Sequence, residues 1–169
     1  MINHSLAHDI EQIIITHGFD ILHSPGMDYE KNQRQHSDIS CFEHSLNVAY
    51  VSVWLTAKLR LKTDTRSIVR GALLHDYFLY DWHDSDDRHN WHGFVHAEIA
   101  LQNAVRDFPL SDIEKDIIQR HMFPLNITPP KYTESFIGCF ADKICAGMEV
   151  VSALFPISMP GIRIGRAMQ

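Results

Sequence analysis

A histidine and an aspartate stand side by side at His75 and Asp76, directly after the apolar run of residues 71–74. The helical period of this segment predicts that both side chains point into the protein. Burying an imidazole and a carboxylate without partners costs on the order of several kcal/mol. A divalent metal ion removes that cost, because neutral imidazole nitrogen and carboxylate oxygen both donate electrons to a cation. The dipeptide therefore indicates a metal site.

Four further residues that could bind a metal lie on the apolar faces of predicted helices. Each has a simpler interpretation by itself. A histidine on an apolar face is more often a hydrogen-bonded core residue, and a buried aspartate often belongs to an ion pair. Six such residues that all point inward on successive helices are better explained by one shared metal site. The four further residues are His44, His96, His121 and Asp142.

Helices must position these residues, because almost every segment has helical rather than alternating periodicity. Capping boxes begin at Ser40 and Ser111, and Asp64 and Thr133 are single capping residues. Gly18 is a suitable residue to end the first helix. The predicted helices cover about residues 5–17, 28–35, 41–60, 65–78, 93–108, 112–122 and 133–155, with a turn at 23–26, a polar loop at 79–91 and an irregular connector at 123–132.

These elements predict an all-α fold, a single compact helical bundle. We expect one domain over residues 1–169, with its core at about residues 36–150, an N-terminal helix and a short C-terminal tail. A hydrophobic content of 45% is enough to build a real core in a chain of 169 residues. The cysteines form no C-x-x-C pair and are expected to be buried thiols. They are Cys41, Cys139 and Cys145.

The composition also limits the partners and the location. A net charge of -6 argues against duplex nucleic acid or an anionic membrane as a partner. It leaves room for a nucleotide, which needs only a local cationic pocket. No apolar run approaches the roughly 20 residues that span a bilayer, and residues 1–5 lack the features of a signal peptide. We therefore expect a cytoplasmic protein, and the sequence leaves a homo-oligomer open.

The order of the candidate ligands resembles the HD-domain superfamily of metal-dependent phosphohydrolases. That superfamily has a histidine, then a His-Asp pair, then a distal aspartate, which correspond here to His44, His75, Asp76 and Asp142. The Ala-Leu-Leu before the pair and the Asp-Lys at residues 142–143 are also similar to the family. The resemblance covers about residues 36–150 and implies the fold expected above.

Two more histidines resemble the dinuclear branch of this superfamily. His96, in His-Ala-Glu-Ile-Ala, is similar to the His-Pro-Glu-x-Gly segment of that branch, with alanine where proline is common. His121, in Ile-Ile-Gln-Arg-His-Met, is similar to the second added ligand. The chain lacks the Gly-Tyr-Pro signature of the cyclic-dinucleotide phosphodiesterases. Other histidines near the site leave its assignment open: His92 is the main alternative to His96, and His36, His83 and His89 are further candidates.

The resemblance implies one metal held by His44, His75, Asp76 and Asp142, with Asp76 bridging to a second metal held by His96 and His121. Iron or manganese suits this mixed donor set best, and zinc, nickel, cobalt or magnesium is possible. Two ions ~3.5–4 Å apart can share a hydroxide that attacks a phosphate ester.

We therefore expect a hydrolase of phosphate esters, with a small phosphorylated metabolite or nucleotide as substrate. Asp76 and Lys143 are the predicted catalytic residues, Lys143 as a phosphate ligand or, alternatively, only as an ion-pair partner of Asp142. Trp82 and Trp91, in or beside the polar loop, could stack on a substrate ring. Two other functions stay open: a di-iron oxygenase of the same fold, and a non-catalytic module that senses a metal or nucleotide.

Overall fold

The computed structural model describes residues 4–36, 39–79 and 92–154. These residues form seven helices and one short antiparallel pair of strands, so the predicted all-α fold is confirmed. The C-terminal tail and most of the predicted polar loop lie outside the described residues. In chain order the elements are α1 (His4–Leu22), α2 (Pro25–Glu30), β1 (Arg34–His36), β2 (Ile39–Ser40), α3 (Cys41–Leu59), α4 (Thr65–Leu74), α5 (His92–Asp107), α6 (Asp112–Arg120) and α7 (Thr133–Leu154).

Helices α3 and α4 form the centre of the bundle. They pack against each other and against α1 and α7, and α6 packs against α4, α5 and α7. The apolar core lies between these helices, where Ile14 of α1, Leu46 of α3 and Leu73 of α4 are fully buried. The three cysteines are buried thiols, as predicted. Among the described helices, none combines the length and the apolar character needed to cross a bilayer.

Local capping starts three of the central helices at the predicted positions. Ser40 Oγ accepts from the Glu43 amide at 3.2 Å, and a Glu43 oxygen accepts from the Ser40 amide at 3.1 Å. Ser111 and Glu114 form the same reciprocal pair at the start of α6. Asp64 begins α4 by accepting from the Ser67 amide. Each cap satisfies amide groups that have no partner inside the helix.

Two helices end earlier than predicted. Helix α4 was expected to reach residue 78 and ends at Leu74, and α6 was expected to reach residue 122 and ends at Arg120. Beyond α4 the Tyr77 amide donates to the Leu74 carbonyl and the Phe78 amide donates to the Asp76 carbonyl, so turns replace the helical hydrogen bonds of these amides. The carbonyls of Tyr77 and Phe78 accept from the Asn103 side chain of α5 at 3.2 and 3.0 Å. His75 and His121 therefore occupy the C-cap positions of α4 and α6.

The first two helices also differ from the prediction. Helix α1 continues through Gly18 to Leu22, because Gly18 is buried where a methyl group would lie 2.4 Å from Leu73 Cδ1. Gly18 lets α1 approach α4 closely, and it does not end the helix. Helix α2 occupies part of the predicted turn, since Ser24 caps it and Pro25 takes its first position. Residues 34–36, partly predicted as helix, pair with β2.

The start of the last helix is a smaller correction. The Tyr132 carbonyl accepts from the amides of Ser135 and Phe136, so Thr133 lies inside the first turn of α7 and is not its cap. The side-chain capping predicted for Thr133 is therefore wrong, although the range predicted for the helix is close to the observed one.

A buried ion-pair network joins α1, α4 and α6. Arg70 of α4 is 2% exposed, and its guanidinium lies 2.6 Å from Asp20 and 3.2 Å from Glu114. Glu114 is fully buried and also accepts from Arg66 at 3.0 Å. Removing Arg70 or Glu114 would leave the other buried charge with only a half-exposed partner, which is destabilising. The network therefore fixes α6 against α4, the two helices that end at His75 and His121.

The contact between α4 and α6 predicts opposite effects for two glycine substitutions. A methyl group at Gly71 would lie 2.6, 2.8 and 2.9 Å from three side-chain atoms of Ile117. We expect Gly71→Ala to lower the free energy of unfolding by roughly 1 kcal/mol or more, because overpacking outweighs the gain in helix propensity. Gly147→Ala is the control, since a methyl group there meets nothing within 4 Å. It should raise the free energy of unfolding by about 0.5–1 kcal/mol. Urea denaturation would measure both, and equal stabilisation would contradict the close approach.

Candidate metal centre

The six predicted ligand residues converge inside the helical bundle. Five different helices bring them together, so the centre exists only when the bundle is packed. All six residues are buried. His44 lies on α3, His75 and Asp76 follow α4, His96 lies on α5, His121 follows α6, and Asp142 lies on α7.

One cluster, which we call the His44 group, consists of His44, His75 and Asp142. One ligand-type atom from each residue lies within 4.8 Å of the other two. Asp142 Oδ1 is 3.2 Å from His44 Nε2 and 3.6 Å from His75 Nε2. Two imidazole nitrogens and a carboxylate oxygen therefore face a common point.

A second cluster, the His96 group, consists of Asp76, His96 and His121, and it meets the same distance criterion. Asp76 Oδ1 is 3.4 Å from Nε2 of each histidine. The two Nε2 atoms are themselves only 2.8 Å apart.

Asp76 also faces the His44 group. Its other oxygen, Oδ2, is 3.5 Å from His75 Nε2 and 3.9 Å from His44 Nε2. One carboxylate thus directs a different oxygen toward each cluster, which is the arrangement that a bridging ligand requires.

Backbone carbonyls fix the orientation of two of the histidines. His75 Nδ1 donates to the Ala72 carbonyl at 2.8 Å, and His121 Nδ1 donates to the Ile118 carbonyl at 2.7 Å. When Nδ1 carries the hydrogen of a neutral imidazole, Nε2 presents a lone pair. In the neutral form both rings therefore direct a lone pair toward the centre, as ligating histidines do.

These residues fit a divalent metal. His75 Nε2 is buried and has no hydrogen-bond partner among the described residues. The close approach of His96 Nε2 and His121 Nε2 places two basic nitrogens together, which is unfavourable unless a proton or a cation lies between them. Imidazole and carboxylate donors of this kind suit iron, manganese or zinc.

Burial and neighbouring charges set the protonation of the protein without bound metal. Burial lowers the pKa of His121 to about 3, so this imidazole is neutral at pH 7. Burial opposes charge on His44, but its hydrogen bonds to Asp142 and Glu149 prevail and raise its pKa to about 10. Burial likewise opposes charge on Asp76, yet the nearby histidines hold the pKa of this carboxyl well below its usual range. Burial also opposes charge on His75, but Asp76 and Asp142 prevail and raise its pKa. His44 and His75 must therefore release a proton when a metal binds, whereas His121 and Asp76 already have the charge state that a metal needs.

A protein-family model described as HD domain matches residues 41–147, well over half of the chain. The chain belongs to the HD-domain family. This family consists largely of metal-dependent hydrolases, and HD domains bind divalent metals. Neither a curated protein nor a solved structure matches the sequence significantly.

Lys143, the predicted phosphate ligand, lies at the edge of the HD-domain centre. Its side chain is 42% exposed, and Nζ is 3.9 Å from Asp142 Oδ2. The ammonium donates to the His121 carbonyl at 2.7 Å and contacts the carbonyl and sulfur of Cys139 at 3.4 and 3.3 Å. It therefore already supports the end of α6, a contact that the sequence did not indicate.

The side chains of the other histidine and tryptophan candidates lie outside the described part of the structure. His36 lies in β1 and His92 begins α5, and their side chains are outside the described part of the structure. The remaining four candidates lie wholly outside the described residues. They are Trp82, His83, His89 and Trp91.

Two buried carboxyl groups near the centre were missed in the sequence. Glu149 lies two helical turns beyond Asp142 on α7, and that seven-residue spacing was a usable signal. Glu30 on α2 is 1% exposed, and neither of its oxygens has a hydrogen-bond partner among the described residues. No pattern indicated Glu30, because the helix was predicted over residues 28–35 and lies instead at Pro25–Glu30.

Glu30 should give the protein a measurable pH dependence of stability. Burial, with a smaller contribution from Asp76, raises the pKa of Glu30 well above its usual value. The native state then keeps a proton that the unfolded chain loses above about pH 4.3, so this group makes stability fall as pH rises. Glu30→Gln removes the effect. Its advantage over the wild type should grow between pH 5 and pH 7, by up to about 1.4 kcal/mol per pH unit.

Urea denaturation at both pH values would measure this difference. Glu98→Gln is the control, because Glu98 is exposed on α5 and should change stability by less than about 0.5 kcal/mol at either pH. Parallel pH profiles for the wild type and Glu30→Gln would show that Glu30 ionises normally in the folded protein.

Proposed function

We propose that this HD-domain protein is a phosphohydrolase that acts on a small phosphorylated metabolite or nucleotide with two divalent metal ions. The observation that carries the proposal is the position of Asp76, whose two oxygens face two separate histidine clusters. A single-metal centre would not need a histidine pair on both sides of one carboxylate. His44, His75, Asp142 and Asp76 would hold one ion, and Asp76, His96 and His121 would hold the other.

Iron or manganese is the proposed metal, with zinc, nickel, cobalt or magnesium as alternatives. When bound, two such ions supply an activated water at neutral pH and stabilise the charge that develops on a phosphate ester. The chain's own residues hold the donors in place: the carbonyls of Ala72 and Ile118 orient two imidazoles, and burial keeps bulk water from the ligands.

Charge supports an anionic substrate. The carboxylates of Asp76 and Asp142, together with that of Glu149 behind His44, offset three of the four positive charges of two divalent cations. The loaded centre keeps positive charge within a buried site, where the low dielectric strengthens its attraction for an anion. A phosphate ester is the natural substrate of such a centre, although the net charge of the chain is -6.

Lys143 is proposed to bind the substrate phosphate from the edge of the centre. Its ammonium is partly exposed and lies next to Asp142, so it can approach a group bound there. An ammonium carries three donors. The short bond to the His121 carbonyl can persist while a phosphate oxygen replaces the long contacts to Cys139.

The first experiment compares Asp76→Asn with the wild type. Protein purified without chelator should contain two ions per chain and release phosphate from a panel of nucleotides and sugar phosphates. Asp76→Asn should lose most of both ions and lower phosphate release by at least about 100-fold, because the shared ligand is lost. Its helix content, measured by circular dichroism, should stay unchanged. Asp28→Asn is the control, since Asp28 is an exposed partner of Lys31.

Other outcomes would change the assignment. Full activity of Asp76→Asn would overturn the site. Oxygen uptake without phosphate release would favour the di-iron oxygenase, and two tightly bound ions with no turnover would favour the sensing module.

A second experiment separates the two roles of Lys143. Lys143→Met should raise KM for the phosphorylated substrate by about 10–100-fold, the effect of losing one charge-assisted hydrogen bond, while metal content stays unchanged. Lys115→Met, which removes a surface lysine that pairs with Asp112, should change neither quantity. A lower Tm and lost metal with unchanged KM would show that Lys143 only supports the end of α6.

A further inference from the structure

Glu149 contacts the metal centre from outside its ligand set. The residue is 5% exposed and lies on α7, and its two carboxylate oxygens are 3.0 and 2.9 Å from His44 Nδ1. Asp142, two turns earlier on the same helix, faces the other nitrogen of that ring at 3.2 Å. One helix therefore holds both sides of His44. Glu149 lies beyond residues 41–147, the segment that the family model matches.

The hydrogen-bond partner of His44 Nδ1 is chemically different from the partners of Nδ1 in His75 and His121. Those two rings donate from Nδ1 to neutral carbonyls of their own helices, whereas His44 donates to a carboxylate from a distant part of the chain. A carboxylate behind a ligating imidazole fixes its orientation and makes it a stronger donor.

The two clusters also differ in charge. The His44 group has the carboxylate of Asp142 as a member and the carboxylate of Glu149 directly behind its histidine. The His96 group has only Asp76 as a carboxylate among the described residues, and Asp76 is shared with the other cluster. The carboxylates of Asp142 and Glu149 therefore add to the attraction of the His44 group for a divalent cation, and the short distances in a buried site make this contribution large.

We propose that Glu149 is a positioning residue for His44 that makes the His44 group the tighter of two metal positions. The protein then fills this position first, and the ion at the His96 group exchanges more readily. This inference rests on the proposed two-metal centre, and it adds an order of loading and a residue that controls it.

The test counts retained metal without measuring turnover. Protein loaded with Mn²⁺ is dialysed against a series of buffered free Mn²⁺ concentrations, and the retained ions are counted by elemental analysis. The wild type should lose its ions in two separate steps. His121→Ala should bind one ion and release it in the tighter step alone, which assigns that step to the His44 group.

Glu149→Gln keeps the size of the side chain but removes its charge. It should weaken the tighter step by about 10–100-fold and change the weaker step by less than about 3-fold. Glu149→Asp, which keeps the charge on a shorter side chain, should give an intermediate value. Glu134→Gln is the matched control on the same helix, because Glu134 accepts from the Asp64 amide away from the centre. It should leave both steps unchanged.

Three results would overturn the inference: equal weakening of both steps, no change in either, or loss of the tighter step in His121→Ala. If Glu149→Gln is not folded by circular dichroism, Glu149→Asp carries the same test, with a smaller shift confined to the tighter step. Two steps that depend on Glu149 would support the inference even if no phosphate ester is hydrolysed. Protein that holds no Mn²⁺ under any condition would overturn both this inference and the proposed function.

Discussion

The carboxylate of Asp76 is the group on which the arrangement of the helices depends. A buried carboxylate is tolerated only when both of its oxygens have partners of suitable charge. Here the partners are the imidazoles of four histidines. These histidines lie on or directly after four different helices, α3, α4, α5 and α6. The packing of four helices is therefore coupled to one side chain. Ion pairs through Arg70 also fix α4, the helix that Asp76 follows, against α1 and α6.

The ends of two helices orient two of the histidines at this centre. The last turn of a helix leaves carbonyls without partners inside the helix, and at α4 and α6 a histidine in the C-cap position supplies one of the missing donors. His75 binds the carbonyl three residues before it, and His121 does the same. One hydrogen bond thus satisfies the helix end, selects the tautomer and points Nε2 toward the metal position. The same local geometry, used twice, places one ligand in each cluster.

The starts of helices could be predicted from the sequence, but several ends could not. Caps at Ser40, Asp64 and Ser111 depend on residues three positions apart, so the local pattern is sufficient. The turn that follows α4 is held by Asn103, which is distant in sequence and donates to the carbonyls of Tyr77 and Phe78. Gly18 was misassigned for a related reason. Its local preference to end a helix is outweighed by the need for α1 to approach Leu73 closely.

The inward faces of amphipathic helices were enough to select the six residues that converge, because burial and ligand chemistry coincide at those positions. The acidic residues around them required three-dimensional information. Glu149 and Glu30 have the same side chain and similar burial, yet their surroundings are opposite. Glu149 meets a donor on His44, whereas Glu30 meets no hydrogen-bond partner among the described residues and is kept neutral by burial. The first carboxylate stabilises the centre that it adjoins. The second lowers the stability of the fold, so the requirements of folding do not account for its presence beside Asp76 and His44.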